Sequence, residues 1–215
     1  MRILSGPLRG QRWIRSSATN GCWAGTYERE SQRVFREHVQ PAGVVFDIGA
    51  NVGFFTLLAA KLAKDGFVYA FEPLPGNLGY LRRHLALNQV RHAEILPIAV
   101  AASTGTARFA AAPSPSMGAL AADGGLEVAI DTLDRLVSVG RIRPPNFIKI
   151  DVEGAEHDVL RGAASVLREA KPTIFLSAHG WQQHELCSAL LAEAGYRLEL
   201  LRDGTADGNY LVLAR

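Results

Sequence analysis

A chain of 215 residues that is 48% hydrophobic can bury a sizeable core, and its length suits one domain better than two. Its 23 basic and 21 acidic side chains leave a formal charge of only +2, so the electrostatic footprint of a nucleic-acid binder is missing and no nucleic-acid partner is expected. Cys22 and Cys187 stand far apart and form neither a disulfide framework nor a CxxC metal pair. The opening MRILSGPLRGQRW lacks the apolar run of about 7–15 residues of a secretory signal, and no later run reaches the ~18 residues of a membrane span. A soluble, cytoplasmic protein without a membrane partner is the expectation.

Residues 1–43 are polar and Arg-rich with one helix, near YERESQRVFREHV, expected to cap the sheet or cover a cofactor. Over residues 44–215 short apolar runs alternate with helix-like segments: VVFDIG, a helix over 54–63, FVYAFEP, GNLGYLRRHLALN and AEILPIAV. That alternation marks βαβ units and a parallel sheet. The helix over 54–63 is apolar almost all round apart from Lys61, as expected for a helix packed on a sheet and covered elsewhere. Residues 99–125 are rich in Ala, Ser, Gly and Pro; they read either as a surface excursion with a short strand at ARFAA or as a lid near the ligand. NFIKIDVEG, an amphipathic helix over 156–169, PTIFLSAHG and a helix over 182–194 resume the pattern, and YRLELLRD and GNYLVLAR close it as a hairpin. The fold class is therefore α/β, mostly parallel, finishing with an antiparallel strand.

The stretch VVFDIGANVGFFT ends a strand on Asp47, Gly49, Asn51 and Gly53 and starts a helix at once. Glycines there allow a tight turn and let a ligand approach main-chain N–H groups with no Cβ in the way. The spacing fails the GxGxxG pattern of a dinucleotide pyrophosphate site. Glu72 ends the next strand nineteen positions after Gly53, where a carboxylate can accept both ribose hydroxyls of a nucleoside; Pro73 follows it in the same candidate loop. Together these features specify a nucleoside without a demanding phosphate. Adenosylmethionine fits, because its sulfonium and amino acid tail favour Asp47 and Glu28 over a phosphate cradle.

DIGANVGFFT, FEPLPGNLGYLRRHLALN, IKIDVEGAEHDVLRG and the upstream WAGTYE resemble, in order from about Trp23 to His179, the FkbM family of adenosylmethionine-dependent methyltransferases. That resemblance implies the Rossmann-like class I methyltransferase fold: a mostly parallel seven-stranded sheet, an antiparallel C-terminal strand and helices on both faces. It also implies adenosylmethionine bound across Asp47 to Gly53 and Glu72, with Trp23 and Tyr27 as candidate pocket walls, and usually O-methylation of small molecules or sugars. One departure is at SAHG, where similar proteins often carry Glu shortly before the histidine and this chain has Ser177 and Ala178.

Ligands of open α/β sheets bind outside the carboxyl ends of the strands, which makes Asp151, Glu153 and His179 face the methyl donor. Methyl transfer to a hydroxyl needs an in-line acceptor and loss of its proton. His179 has the better intrinsic pKa for a base, ~6.5 against ~3.9 for Asp. Asp151 is the alternative, as holder of the acceptor hydroxyl or of the methionine tail. In a second reading Asp151, Glu153 and His179 bind a divalent cation such as Mg²⁺; in a third they are structural. Lys149 points to the same side of its strand as Asp151 and is expected to pair with Asp151 or Glu153, either orienting them or forming a purely structural ion pair. Glu156 reads as a charge favoured at a helix N-terminus. His157 carries no role, and His38, His84, His92 and His184 read mostly as surface residues. The leading function is an adenosylmethionine-dependent O-methyltransferase of a small hydroxylated acceptor, such as a sugar or secondary metabolite. A nucleic-acid methyltransferase and an inactive nucleoside-binding module are the alternatives, although IDVEG stands where an amino-type base methylase would carry Asn-Pro-Pro-Tyr. Acceptor specificity is expected in residues 110–125 and the N-terminal segment.

Overall fold

The structure is a computed structural model that describes residues 1–109 and 125–215. A 3-10 turn (Arg15–Ser17), α1 (Asn20–Ala24) and α2 (Arg29–His38) lead into β1 (Val44–Ile48), α3 (Phe54–Leu62), β2 (Phe67–Phe71), α4 (Pro75–Leu87) and β3 (Ala93–Leu96). Then come β4 (Ala99–Val100), β5 (Gly105–Phe109), β6 (Leu126–Asp131), α5 (Leu133–Ser138), β7 (Phe147–Ile150), α6 (Glu156–Arg161) and α7 (Ala164–Glu169). The chain closes with β8 (Thr173–His179), α8 (Trp181–Glu193), β9 (Leu198–Asp203) and β10 (Asn209–Ala214).

Seven strands form one sheet in the order β3-β2-β1-β7-β8-β10-β9. The pairs from β3 through β8 are parallel, while β10 runs antiparallel to both β8 and β9. The chain steps outward from β1 to β2 and β3, then returns to place β7 on the other side of β1. The crevice beyond the carboxyl ends of β1 and β7 is thus the topological switch point, where ligands of such sheets bind.

Side-chain alternation fixes the layers, because successive residues of a strand face opposite sides. Val44, Phe46 and Ile48 join Ile148, Ile150, Ile174 and Leu176 in the core under α5 to α8. Val45, Val68, Phe147 and Phe175 face the other way, against α3 and the N-terminal residues Ile3, Leu8, Trp13 and Phe35. Residues of the first 43 therefore share a core with the sheet.

Three local departures from the sequence reading have physical causes. AEILPIAV is not one strand: Pro97, which has no N–H to give a ladder, separates β3 in the main sheet from β4 in a second sheet of order β4-β6-β5. In that sheet β5, at Gly105–Phe109, takes in the first three residues of ARFAA, the last two lying outside the described residues, and pairs antiparallel with β6, a strand the sequence reading missed. The helix expected over 156–169 is two helices: a Cβ on Gly162 would lie 2.0 Å from the Ala101 carbonyl oxygen, so the chain bends there against the β4 end. Asp134 then caps α7 from outside it, accepting from Ser165 N at 2.9 Å and Val166 N at 2.9 Å. Residues 110–124, the greater part of the segment expected to carry acceptor specificity, lie outside the described residues.

Candidate active site

A cavity of about 310 Å³ opens at the switch point, lined by the loop after β1, the loop after β2, the loop after β7 and the N-terminal segment. Gly49, Asn51, Glu72, Pro73, Lys149, Asp151 and Glu153 all line it, with Tyr27, Phe54 and Phe71 among its aromatic walls. Of the remaining candidates, Asp47, Gly53, Glu28 and His179 are not in its lining.

Asp47 and Lys149 are register partners on adjacent strands and point to the same face. Asp47 is fully buried, accepting from Thr56 Oγ1 of α3 at 2.6 Å. Lys149, only 2% exposed, sits 3.3 Å from Asp47 Oδ1 and 3.3 Å from Asp151 Oδ2, and donates to the Gly49 carbonyl oxygen at 3.0 Å. The contact with Asp47 Oδ1 is an ion pair without hydrogen-bond geometry. Burial works to discharge Lys149, but Asp151, Asp47 and Glu28 outweigh it and hold the ammonium charged. Lys149 thus joins the carboxylates of Asp47 and Asp151, and Glu153 lies elsewhere, near His179.

The glycine loop does something different from what the spacing suggested. A Cβ on Gly49, at φ +75°, would lie 1.9 Å from the Asp151 carbonyl oxygen, so this glycine lets two loops touch. Gly53, at φ +96°, makes room for Leu81 Cδ1, which a Cβ would meet at 2.5 Å. The loop N–H groups are spent inside the protein: Gly49 and Ala50 donate to Phe71 O, Asn51 to Glu72 Oε2, Val52 to Asn51 Oδ1 and Gly53 to Ala50 O. The loop is therefore no anion cradle, unlike a phosphate-binding turn.

Glu72 is the polar centre of the opposite wall. Besides Asn51 N at 2.8 Å, it accepts from Leu74 N at 2.8 Å and Asn77 Nδ2 at 3.3 Å, leaving about one lone-pair site, on Oε2, to spare. Burial raises its pKa against the pull of those donors. Glu28, at φ +41°, accepts from Ser31 Oγ at 2.9 Å and lies beside Tyr27. Burial, then the Glu28 charge, raises the Tyr27 pKa and keeps its hydroxyl protonated. Trp23 is not part of the lining; its Nε1 donates to Asn20 Oδ1 at 2.9 Å and Arg15 lies over its ring.

Two buried groups were not legible as partners in the sequence. Glu156 Oε1 lies 2.6 Å from His179 Nδ1, and His179 Nε2 faces Asp151 Oδ1 at 3.7 Å and Glu153 Oε2 at 3.5 Å. Burial would lower the His179 pKa, but the bond to Glu156 and the charges of Asp151 and Glu153 carry it up to about 9. The ordinary imidazole value that favoured His179 as a base does not hold here: at neutral pH the ring is an imidazolium. His84 is also buried rather than on the surface, joining Val52 O at 2.7 Å to Ile14 N at 3.1 Å and stacking on Trp13 at 3.9 Å. Its lowered pKa, set first by burial, keeps the ring neutral between the glycine loop and the N-terminal segment.

The donor set fits a cationic nucleoside. Among the described residues Glu72, Asp151 and Glu153 outnumber the one ammonium in the wall, Lys149, which Asp47 and Asp151 already neutralise. Phosphate would meet carboxylates and spent N–H groups; a net-positive ligand, with a sulfonium and an ammonium against one tail carboxylate, meets complementary charge. Among the described residues no group of three or more His, Cys, Asp or Glu is arranged to hold a metal ion, and no helix is long and apolar enough to cross a membrane.

Sheet order and crevice are those of the class I methyltransferase fold, and solved structures agree on the fold. A methyltransferase FkbM from Methylobacillus flagellatus aligns with a TM-score of 0.61 at 18% identity, covering 94% of this chain and 56% of that one. The TYW2 protein of M. jannaschii, solved in complex with AdoMet, aligns at 0.52 and 16% identity over 92% of this chain and 75% of that one. Residues 47–198 match the family described as the methyltransferase FkbM domain. The chain belongs to the FkbM family of adenosylmethionine-dependent methyltransferases and is an enzyme of that kind. Among curated relatives, the hexuronic acid methyltransferase AglP of Haloferax volcanii is 25% identical over 179 residues, covering 81% of this chain and 72% of that protein. The 31-O-demethyl-FK506 methyltransferase FkbM of Streptomyces tacrolimicus is 29% identical over 161 residues, covering 58% of this chain and 60% of that protein.

Proposed function

We propose that the protein methylates a hydroxyl of a small molecule, a sugar or secondary metabolite. The observation that carries this reading is the pair of carboxylates, Asp151 and Glu153, in the cavity wall at the switch point, with the imidazolium of His179 against them. The relatives named for a hexuronic acid and for a 31-O-demethyl compound support the same class of acceptor.

Bound adenosylmethionine supplies the methyl group: the acceptor oxygen forms the new C–O bond as the C–S bond breaks, and the electrons of that bond remain on sulfur. Glu72 holds the ribose hydroxyls, while Gly49, Asn51 and Pro73 shape the wall beside it. Asp151 accepts the hydrogen of the acceptor hydroxyl, fixes its oxygen in line and takes its proton as the new bond forms. Lys149 and His179 hold Asp151 from two sides, and Asp47 holds Lys149. Gly53 and Glu28 act through Leu81 and Tyr27. Residues 1–43 cap the cavity, since Ala18, Thr19, Cys22 and Tyr27 line it. A reducing cytoplasm suits the two buried free cysteines.

Calorimetric titration with adenosylmethionine and adenosylhomocysteine, against NAD and ATP, tests the cofactor. Transfer of labelled methyl to a panel of uronic acids, hexoses and macrolides, with tRNA as control, tests the acceptor. Selective binding and label on a hydroxyl are expected, with Asp151→Asn lowering turnover about 100-fold or more. Label on tRNA alone would overturn the reading.

A further inference from the structure

Glu156 does more than favour a helix N-terminus. It is fully buried, and its Oε1 receives both the Nδ1–H of His179 at 2.6 Å and the backbone N–H of Gly154 at 3.0 Å. Gly154 follows Glu153, and both have left-handed backbone, at φ +100° and +56°. Gln183 of α8 grips the same turn, donating to Gly154 O at 2.7 Å and accepting from His157 N at 3.1 Å. One carboxylate oxygen therefore ties the turn that presents Asp151 and Glu153 to the histidine at the end of β8. The other, Oε2, is buried with no hydrogen-bond partner among the described residues, a cost the fold bears to keep this charge in place.

We propose that Glu156 is a positioning residue for methyl transfer: it fixes the Nδ1–H of His179, aims Nε2 at Asp151 and Glu153, and so holds both carboxylates at the acceptor edge of the cavity. The proposal rests on the reading of that edge as the acceptor end. Among the described residues the titratable groups that face His179 are Asp151 and Glu153 from the loop after β7 and Glu156 from α6; its register partner on β10, Asn209, is uncharged. With Glu156 in place the ring carries a proton on each nitrogen at neutral pH. When it loses one, the proton facing Glu156 is the one retained.

NMR of ¹⁵N-histidine-labelled protein, with His179 assigned through His179→Gln, reads this without any acceptor, so its outcome is separate from the fate of the O-methylation reading. In wild type, His179 titrates near 9 and its neutral form keeps the proton on Nδ1. In Glu156→Gln, which keeps shape but loses charge, the midpoint falls by about one pH unit or more. Turnover in that variant falls about tenfold or more while the KM for adenosylmethionine stays within about twofold, the split expected when only the reacting geometry is lost. A neutral Nε2–H form or an ordinary midpoint in wild type overturns the proposal even if the variant does not fold. So does an unmoved midpoint, or unchanged turnover, in a folded Glu156→Gln.

Discussion

Lys149→Met tests the charge arrangement under the cavity. The substitution keeps length and apolar stem and removes the ammonium that stands 3.3 Å from both Asp47 and Asp151. Asp47, with no exposure, keeps one neutral donor, Thr56 Oγ1, while Asp151 keeps a water-accessible edge. Breaking a buried ion pair from one side costs about 3–5 kcal/mol, because the surviving charge has no partner. At about 2–4 °C per kcal/mol for a domain of this size, Tm falls by about 6–20 °C. Urea denaturation at pH 7, with a double-mutant cycle through Asp47→Asn, measures the loss and its origin. The double variant is expected to recover part of it, since the stranded charge is gone, with a coupling of about 1–3 kcal/mol. The stranded carboxyl gains by taking up a proton, so the gap to wild type narrows on acidification. A single variant within about 1 kcal/mol of wild type, or strict additivity with Asp47→Asn, refutes the claim that Lys149 exists to neutralise Asp47.

Glu72→Gln removes a charged acceptor while preserving the contact to Leu74, and adenosylmethionine binding by calorimetry weakens about 10–100-fold, as expected for one or two charge-assisted hydrogen bonds. Because burial raises the Glu72 pKa, wild-type affinity begins to fall on acidification while ordinary carboxyls are still ionised. Gly49→Ala puts a methyl 1.9 Å from the Asp151 carbonyl and loses soluble expression, whereas Gly154→Ala, with nothing within 4 Å, shows only the strain of its φ of +100°, about 1–3 kcal/mol by urea denaturation. His179 has a folded pKa raised above the unfolded ~6.5 to about 9, so its stabilisation is full below 6.5 and is lost as pH rises to 9. A fall in Tm across that window, absent in His179→Gln, is the expected result. The turnover profile follows the same group: flat from pH 7 to 8 and declining above 9 if the imidazolium holds the carboxylates, but rising to 9 if His179 is the base.

What was legible in the sequence was whatever repeats along a strand or announces its end. VVFDI and FIKI alternate between two cores, and Glu72 and Asp151 each stand just past a strand terminus, where topology alone brings them to one crevice. What was illegible depends on contacts far apart in sequence. Glu156 and His179 are separated by 23 positions and His84 and Ile14 by 70, and no spacing rule links either pair. Likewise nothing local in Gly162 shows that Ala101 will press on it, so a pattern with continuous helical periodicity was read as one helix. β6 escaped for a related reason: most of LEVAID stays exposed or half-buried, and its partner strand precedes it by a long segment.

The Gly49 result changes how the opening motif should be understood. A glycine at a strand end is usually read as space for a ligand, yet here the space is filled by the Asp151 carbonyl, and the neighbouring N–H groups have protein partners. The contact brings the ends of β1 and β7 together, so that one ammonium, Lys149, can touch Asp47, Asp151 and the Gly49 carbonyl at once. The pocket's charge preference follows from this packing: the N–H groups of residues 49–53 and, among the described residues, the one ammonium of the wall have protein partners, while the carboxylates of Glu72, Asp151 and Glu153 line the cavity. A phosphate-binding loop leaves its N–H groups free and so selects anions. This loop commits those of residues 49–53 to acceptors of the protein, on β2, on Glu72 and within the loop, and so favours a ligand carrying positive charge, which is the physical distinction between the two glycine-rich turns that their sequences only hint at.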